Sequence, residues 1–220
     1  MSCDACKEIP PVSESYTEKG QYETFDGLKT YVTGPADATR AVIDIYDIFG
    51  FASQTLQGAD RLAEHIGDAL VLVPDLLEGS YAEHGWIPPD TPEKQEAFGR
   101  LLAGPADIQR AVGRLLWVGC AGEGPRADGH FSVISRLDAA DAEALNVPHI
   151  CLASPDEPAD AVSQVKEVLS KPGRTGHVET YGRPMFHGWM GARANLADEE
   201  NARQYERGYK QVADFLAKYI

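Results

Sequence analysis

A cysteine, an aspartate and a histidine stand in that order in the second half of the chain: Cys120 in LLWVGCAGEG, Asp156 in SPDEP and His187 in MFHGWM. Together these three residue types can transfer an acyl group. A thiol becomes a strong nucleophile only as a thiolate. A histidine within hydrogen-bond reach can take its proton. A carboxylate on the far side of the imidazole fixes its tautomer and stabilises the imidazolium. The oxyanion that forms on an acyl substrate needs backbone N–H donors, and the residue after the nucleophile, Ala121, can supply one.

Each residue follows an apolar stretch that reads as a strand. AVIDIYD (41–47) is mostly apolar and β-branched, as a buried strand should be, and ALVLVPD (69–75), LLWVG (115–119), VPHICLAS (147–154) and HVETY (177–181) read as the further strands. Between the first two, Leu56, Ala59, Leu62, Ala63 and Ile66 recur at helical spacing, with Gly67 fitting the position just past a helix end. Strand, helix, strand in such short order predicts a βαβ unit. Before it, YETF and KTYVTG flank Asp26-Gly27, a hairpin-turn pair. The C-terminal stretch predicts a long amphipathic helix, with Ala202, Tyr205, Tyr209, Val212, Leu216 and Tyr219 on one stripe. The expected fold class is α/β: a mostly parallel sheet flanked by helices, in a single domain over 1–220 with a loose tail over 1–16. Chemistry in such a sheet collects at the carboxyl ends of the strands. The long turn-rich stretch 77–95 reads as a surface loop, whose His84 and Trp86 are candidates for a pocket wall.

The chain has 220 residues, 43% of them hydrophobic and 25% charged, with a formal net charge of −14. That charge argues against nucleic acid or an anionic membrane face as a partner. No apolar run approaches the length of a membrane span. The four cysteines are too few for a disulfide scaffold, so a reducing, cytoplasmic setting is expected. Cys3 and Cys6 form a lone CxxC without further ligands nearby, and no metal site is expected. The glycines of GCAGEG have neither dinucleotide-fold nor P-loop spacing, so no cofactor is expected. The expected partner is a small-molecule substrate, and the expected state a monomer or homodimer.

Several stretches in this order resemble the dienelactone hydrolase family, particularly its fungal branch: FDGLKTYVTGP, YDIFGF, LVLVPDLLEG, LDAADAEALNVPHICLASPDEPAD and MFHGWMGARANLADEENARQYERGYKQV. The resemblance implies an α/β-hydrolase fold and a Cys-Asp-His triad that acts on lactones and related carboxylic esters without metal or cofactor. By its motifs, Asp156 matches the triad acid and His187 the histidine. Asp47 matches an acidic position that tunes the thiol, and Ile48 and Phe49 lie where the oxyanion loop should be. Arg193 could bind a substrate carboxylate or cap carbonyls.

The chain departs from the family pattern at the nucleophile. The family elbow reads G-x-C-x-G-G, whereas Val118 stands here at the first glycine and Glu123 interrupts the second pair. The flanking segment is also compressed, which predicts a sheet short of one strand and one helix around the elbow. FSVIS (131–135) reads as a shortened remnant of that strand.

Three readings follow. The first is a Cys-dependent ester or lactone hydrolase. The second is an enzyme of the same fold that performs isomerisation, dehydration or cyclisation with His187 and Asp47 or Glu123 as acid and base, Arg126 and His130 being further polar groups beside that site. The third is a catalytically inactive binding protein. Simpler roles exist for each residue: Cys120 as a core thiol beside a glycine turn, Asp156 as a turn former, and His187 as a pocket histidine bound to a carbonyl.

Overall fold

The computed structural model describes residues 7–13, 15–25, 27–107, 143 and 147–219. Strands β1 (Gln21–Phe25) and β2 (Leu28–Thr33) form the expected hairpin. Phe25 pairs with Leu28, so the connection is two residues long, and Gly27 takes φ 82° as such a tight loop demands.

The first βαβ unit is β3 (Arg40–Ile43), α1 (Ser53–Ile66) and β4 (Ala69–Pro74). β3 and β4 run parallel with Val42 opposite Val71, while β2 lies antiparallel to β4 on its other side, giving the order β1-β2-β4-β3. β3 is shorter than the strand expected over 41–47. The Asp44 N–H still reaches Leu72 O at 2.8 Å, after which the chain leaves the sheet. That early departure frees residues 44–52 to form a loop at the strand's carboxyl end.

A second βαβ unit comprises β5 (His149–Ala153), α3 (Ala159–Leu169) and β6 (Gly176–Thr180), with β5 and β6 parallel. The sequence reading passes over α3. Its buried Val165, Val168 and Leu169 form a small cluster with Cys151 and Val178. α2 (Pro92–Ala103) begins inside the stretch read as loop. Thr91 caps it by accepting from Lys94 N–H, and Pro92 opens it, a start signal passed over among the neighbouring prolines. Among the described residues two strand pairings are antiparallel and two parallel, and β3 and β5 each pair on one side. The predicted strands LLWVG and FSVIS lie outside the described residues.

α4 (Glu199–Tyr219) closes the chain. The Asp198 carboxylate accepts from Asn201 N–H at 2.8 Å and so satisfies an amide of the first turn. Glu199 and Glu200 at one end and Lys218 at the other suit the helix dipole. Its Tyr205, Tyr209, Val212 and Leu216 join Leu56 and Ala59 of α1, Val71 and Val73 of β4, and Ile150 and Leu152 of β5 in one buried cluster. The two βαβ units therefore share a core. α1 and α4 meet closely at Gly58, where a Cβ would overlap the Tyr209 phenol.

The start of the chain, expected to be loose over 1–16, is held in its described part. Val12 N–H donates to Ala192 O at 3.0 Å, and Gln54 Nε2 donates to Val12 O at 2.8 Å. Tyr16 Oη donates to the buried Asp60 at 2.8 Å, beside Tyr31 Oη on the same carboxylate. The composition of this stretch is that of a tail, but its bonds are made to residues far along the chain.

Candidate active site

Three loops at strand ends build the site. The first follows β3 and carries Asp47, Ile48 and Phe49. The second is the short turn Ser154-Pro155-Asp156-Glu157 between β5 and α3. The third is the long connection from β6 to α4, which carries His187 and Arg193.

The His187 loop is fixed from beneath. Tyr181 N–H donates to Ala153 O at 2.8 Å, tying the loop's start to the end of β5. Trp189 is buried, stacks near Tyr181 at 4.3 Å between centroids, and lies against Gly208 of α4, where any Cβ would collide with the indole. Tyr209 Oη donates to Met190 O at 2.8 Å. The sharp bend after His187 is made by Gly188 at φ 82°, a conformation that L side chains rarely adopt.

His187 meets the acidic pair through two different groups. Its backbone N–H donates to Asp156 Oδ2 at 3.0 Å, and its ring Nδ1 lies 2.7 Å from Glu157 Oε1. The sequence reading assigns the imidazole's partner to Asp156; in the structure the ring bond goes to the neighbouring Glu157. The other oxygen of Asp156 accepts from Arg183 at 2.5 Å. The Ser154 hydroxyl donates to Glu157 Oε1 at 3.2 Å. Burial pushes the Glu157 carboxyl up, but the His187 hydrogen bond and charge and the Ser154 hydroxyl outweigh it, and the group sits below the usual range. Glu157, Ser154 and Arg183 carry no assignment in the sequence reading, where SPDEP offers only Asp156 as a triad acid or turn former. Two adjacent acids after a strand were the available signal.

Asp47 faces the same histidine from the β3 loop. Its Oδ1 accepts the Phe49 N–H at 3.0 Å, and its Oδ2 lies 3.3 Å from Arg193. Burial raises its carboxyl, and this outweighs the lowering by the Phe49 N–H, Arg193 and His187. The Phe49 amide, expected to serve an oxyanion, thus points at Asp47. Ile48 gives its carbonyl to Ala82 N–H at 2.8 Å.

Arg193 is 3% exposed and faces protein. Its Nε donates to Ile9 O at 2.6 Å, and its guanidinium lies 4.9 Å from the Phe49 ring centroid. Of its two expected roles, capping a carbonyl is the one the geometry displays. His84 sits edge-on to Phe49 with centroids 6.1 Å apart and lies 3.3 Å from Ser13 Oγ. Trp86 lines a cavity of about 220 Å³ with Tyr81, Arg100 and Leu101. Cys120, Ala121, Glu123, Arg126 and His130 lie outside the described residues, as do Cys3 and Cys6. Among the described residues no helix is long and apolar enough to cross a membrane.

Solved structures share this architecture. A dienelactone hydrolase from Anabaena variabilis is similar with a TM-score of 0.57 at 13% identity, covering 93% of this chain and 98% of that one. A dienelactone hydrolase-like promiscuous phosphotriesterase from metagenomic libraries is similar with a TM-score of 0.59 at 11% identity, covering 92% and 98%. At such identities the likeness establishes the fold: the protein has an α/β-hydrolase fold. No family model matches the chain. Two uncharacterized AIM2 family proteins of the yeast Schizosaccharomyces pombe are 31% and 30% identical, each over 97% of both chains. The chain belongs to the AIM2 family, in keeping with the fungal resemblance in its motifs. The first alignment runs over 244 positions against 220 residues here, so that relative has stretches this chain lacks.

Proposed function

We infer that the protein is a hydrolase of lactones or small carboxylic esters. The observation that carries this reading is His187, held at a strand end with its ring on a carboxylate at 2.7 Å and with Asp47 within electrostatic reach. An imidazole so held keeps a proton on Nδ1 and leaves Nε2 to accept one. In this reading Cys120 gives its proton to His187 and its sulfur attacks the acyl carbon. The alkoxide leaves with that proton. Water then attacks the thioester, returning a proton through His187, and the acid departs as the thiol reforms. A carboxylate of the Asp156–Glu157 pair orients the imidazole, and Asp47 tunes the thiol. His84 and Trp86 border the substrate space.

The raised Asp47 carboxyl beside His187 favours a second reading, acid–base chemistry without the thiol. Turnover of a panel of activated esters and small lactones by wild type, Cys120→Ala and His187→Ala separates the two. The hydrolase reading expects both variants to lose about 10³-fold or more in kcat. Loss in His187→Ala alone would favour the second reading. A wild type silent across the panel would contradict the hydrolase reading.

A further inference from the structure

We propose that Glu157, and not the adjacent Asp156, is the carboxylate that orients the His187 imidazole, while Asp156 positions the main chain that carries it. The proposal deepens the hydrolase reading and rests on His187 as its base.

The two acids differ by one methylene, and each reaches a different group. The shorter Asp156 ends at the backbone: one oxygen takes the His187 N–H at 3.0 Å, and the other takes Arg183 at 2.5 Å. The longer Glu157 passes it and places Oε1 2.7 Å from Nδ1. The Ser154 hydroxyl, at 3.2 Å, fixes that same oxygen from the other side. Ser154 also accepts the Asp156 N–H at 3.3 Å, so one hydroxyl sets the geometry of both acids. Arg183 pairs with Asp156, and the upward push of the Asp156 charge on Glu157 is outweighed by the His187 and Ser154 bonds. Glu157 thus has the attributes of an orienting carboxylate: a short bond to the ring, a second donor on the same oxygen, and an environment that keeps it ionised. Asp156 instead acts on a peptide group, which sets where the ring starts but not how it turns.

The test uses the full chain labelled with ¹⁵N-histidine. His187→Ala assigns the ring resonances. Glu157 bonds the ring and Asp47 lies within electrostatic reach of it, while Asp156 bonds the His187 backbone and Arg183 pairs with Asp156; the two acids of the turn are varied one at a time. In wild type at neutral pH the ring is expected as the Nδ1–H tautomer, with that proton protected from exchange. Asp156→Asn is expected to keep the protected proton. Glu157→Ala is expected to lose it and, where the protein turns over an ester, to lose about a hundredfold or more in kcat with KM changed only a few-fold. Glu157→Asp, which keeps the charge but shortens the reach, should recover only part of the rate. If Glu157→Ala does not fold, Glu157→Gln keeps the shape, and the Nδ1 proton should exchange faster than in wild type, because a neutral amide holds it less strongly than a carboxylate. A protected Nδ1 proton that survives Glu157→Ala, or that vanishes in Asp156→Asn alone, would overturn the assignment, as would an Nδ1 proton that exchanges as slowly in Glu157→Gln as in wild type. These spectra need no turnover, so they answer even where the ester panel is silent, and the two readings fail separately.

Discussion

Asp47 and Glu157 flank His187 from two loops, and their side chains are almost equally exposed, at 32% and 27%. Their carboxyls are nonetheless displaced in opposite directions, Asp47 upward and Glu157 downward. Desolvation is the largest single influence on both, and it prevails only at Asp47, the more deeply enclosed of the two carboxyls. Glu157 accepts bonds from His187 at 2.7 Å and Ser154 at 3.2 Å on one oxygen, and these favour the charged form. Asp47 has a single N–H at 3.0 Å and a guanidinium at 3.3 Å, beyond ideal bonding length, which do not repay its desolvation. The site thus displaces its two carboxyls in opposite senses, Glu157 downward through its hydrogen bonds and Asp47 upward through its desolvation.

Removing the cation beside Asp47 should have the largest effect. Arg193→Met strips a buried guanidinium from Asp47 and Ile9 and should cost about 3–5 kcal/mol in urea unfolding. It should also push Asp47 further up, widening the contrast with Glu157. Unchanged stability would mean that Arg193 does not clamp the chain's start to the site.

The pH dependence of stability should separate the two acids by sign. Glu157 lies below its ordinary value of 4.5, so its contribution is present above that value and fades as pH falls through the folded pKa. Asp47 lies above 3.8, so its folded form favours the proton, and stability declines as pH rises from 3.8 through the folded pKa. Asp44, three residues earlier, shares that sign, since burial pushes it up to about 6. Asp44→Asn should therefore remove a decline on the order of 2 kcal/mol between about pH 4 and 6. Asp47→Asn should flatten the same limb, and Glu157→Gln should abolish a gain over the acid range. Unfolding curves at a series of pH values check all three; equal signs for Asp47 and Glu157 would break the comparison.

The smallest effect belongs to Ser154→Ala. It removes one donor from Glu157 and should cost about 1 kcal/mol, with a few-fold fall in turnover. A loss as large as that of Glu157→Ala would show that the hydroxyl, rather than the carboxylate, holds the ring.

Local signals made much of this fold legible. The hairpin at Gly27, the helix end at Gly67 and the stripe of Tyr205, Tyr209, Val212 and Leu216 depend on neighbours in sequence, and a reader of sequence has those neighbours. The start of α2 was hidden because Thr91-Pro92 sits in a run of prolines that also reads as loop. α3 was passed over although its valines recur at helical spacing. In the site, the place of His187 was legible as the end of a strand. Its partner was not, because choosing between Asp156 and Glu157 needs the path of a loop from another strand. Arg193 could not be assigned either: the carbonyl it holds, Ile9 O, lies near the opposite end of the chain.

The most direct test of the account is intact-mass and peptide mass spectrometry of the protein quenched while it turns over an activated ester. The account predicts an acyl adduct on the peptide bearing Cys120 in wild type and no such adduct in Cys120→Ala. Sustained ester turnover with no acyl mass on Cys120, or with activity retained in Cys120→Ala, would contradict it.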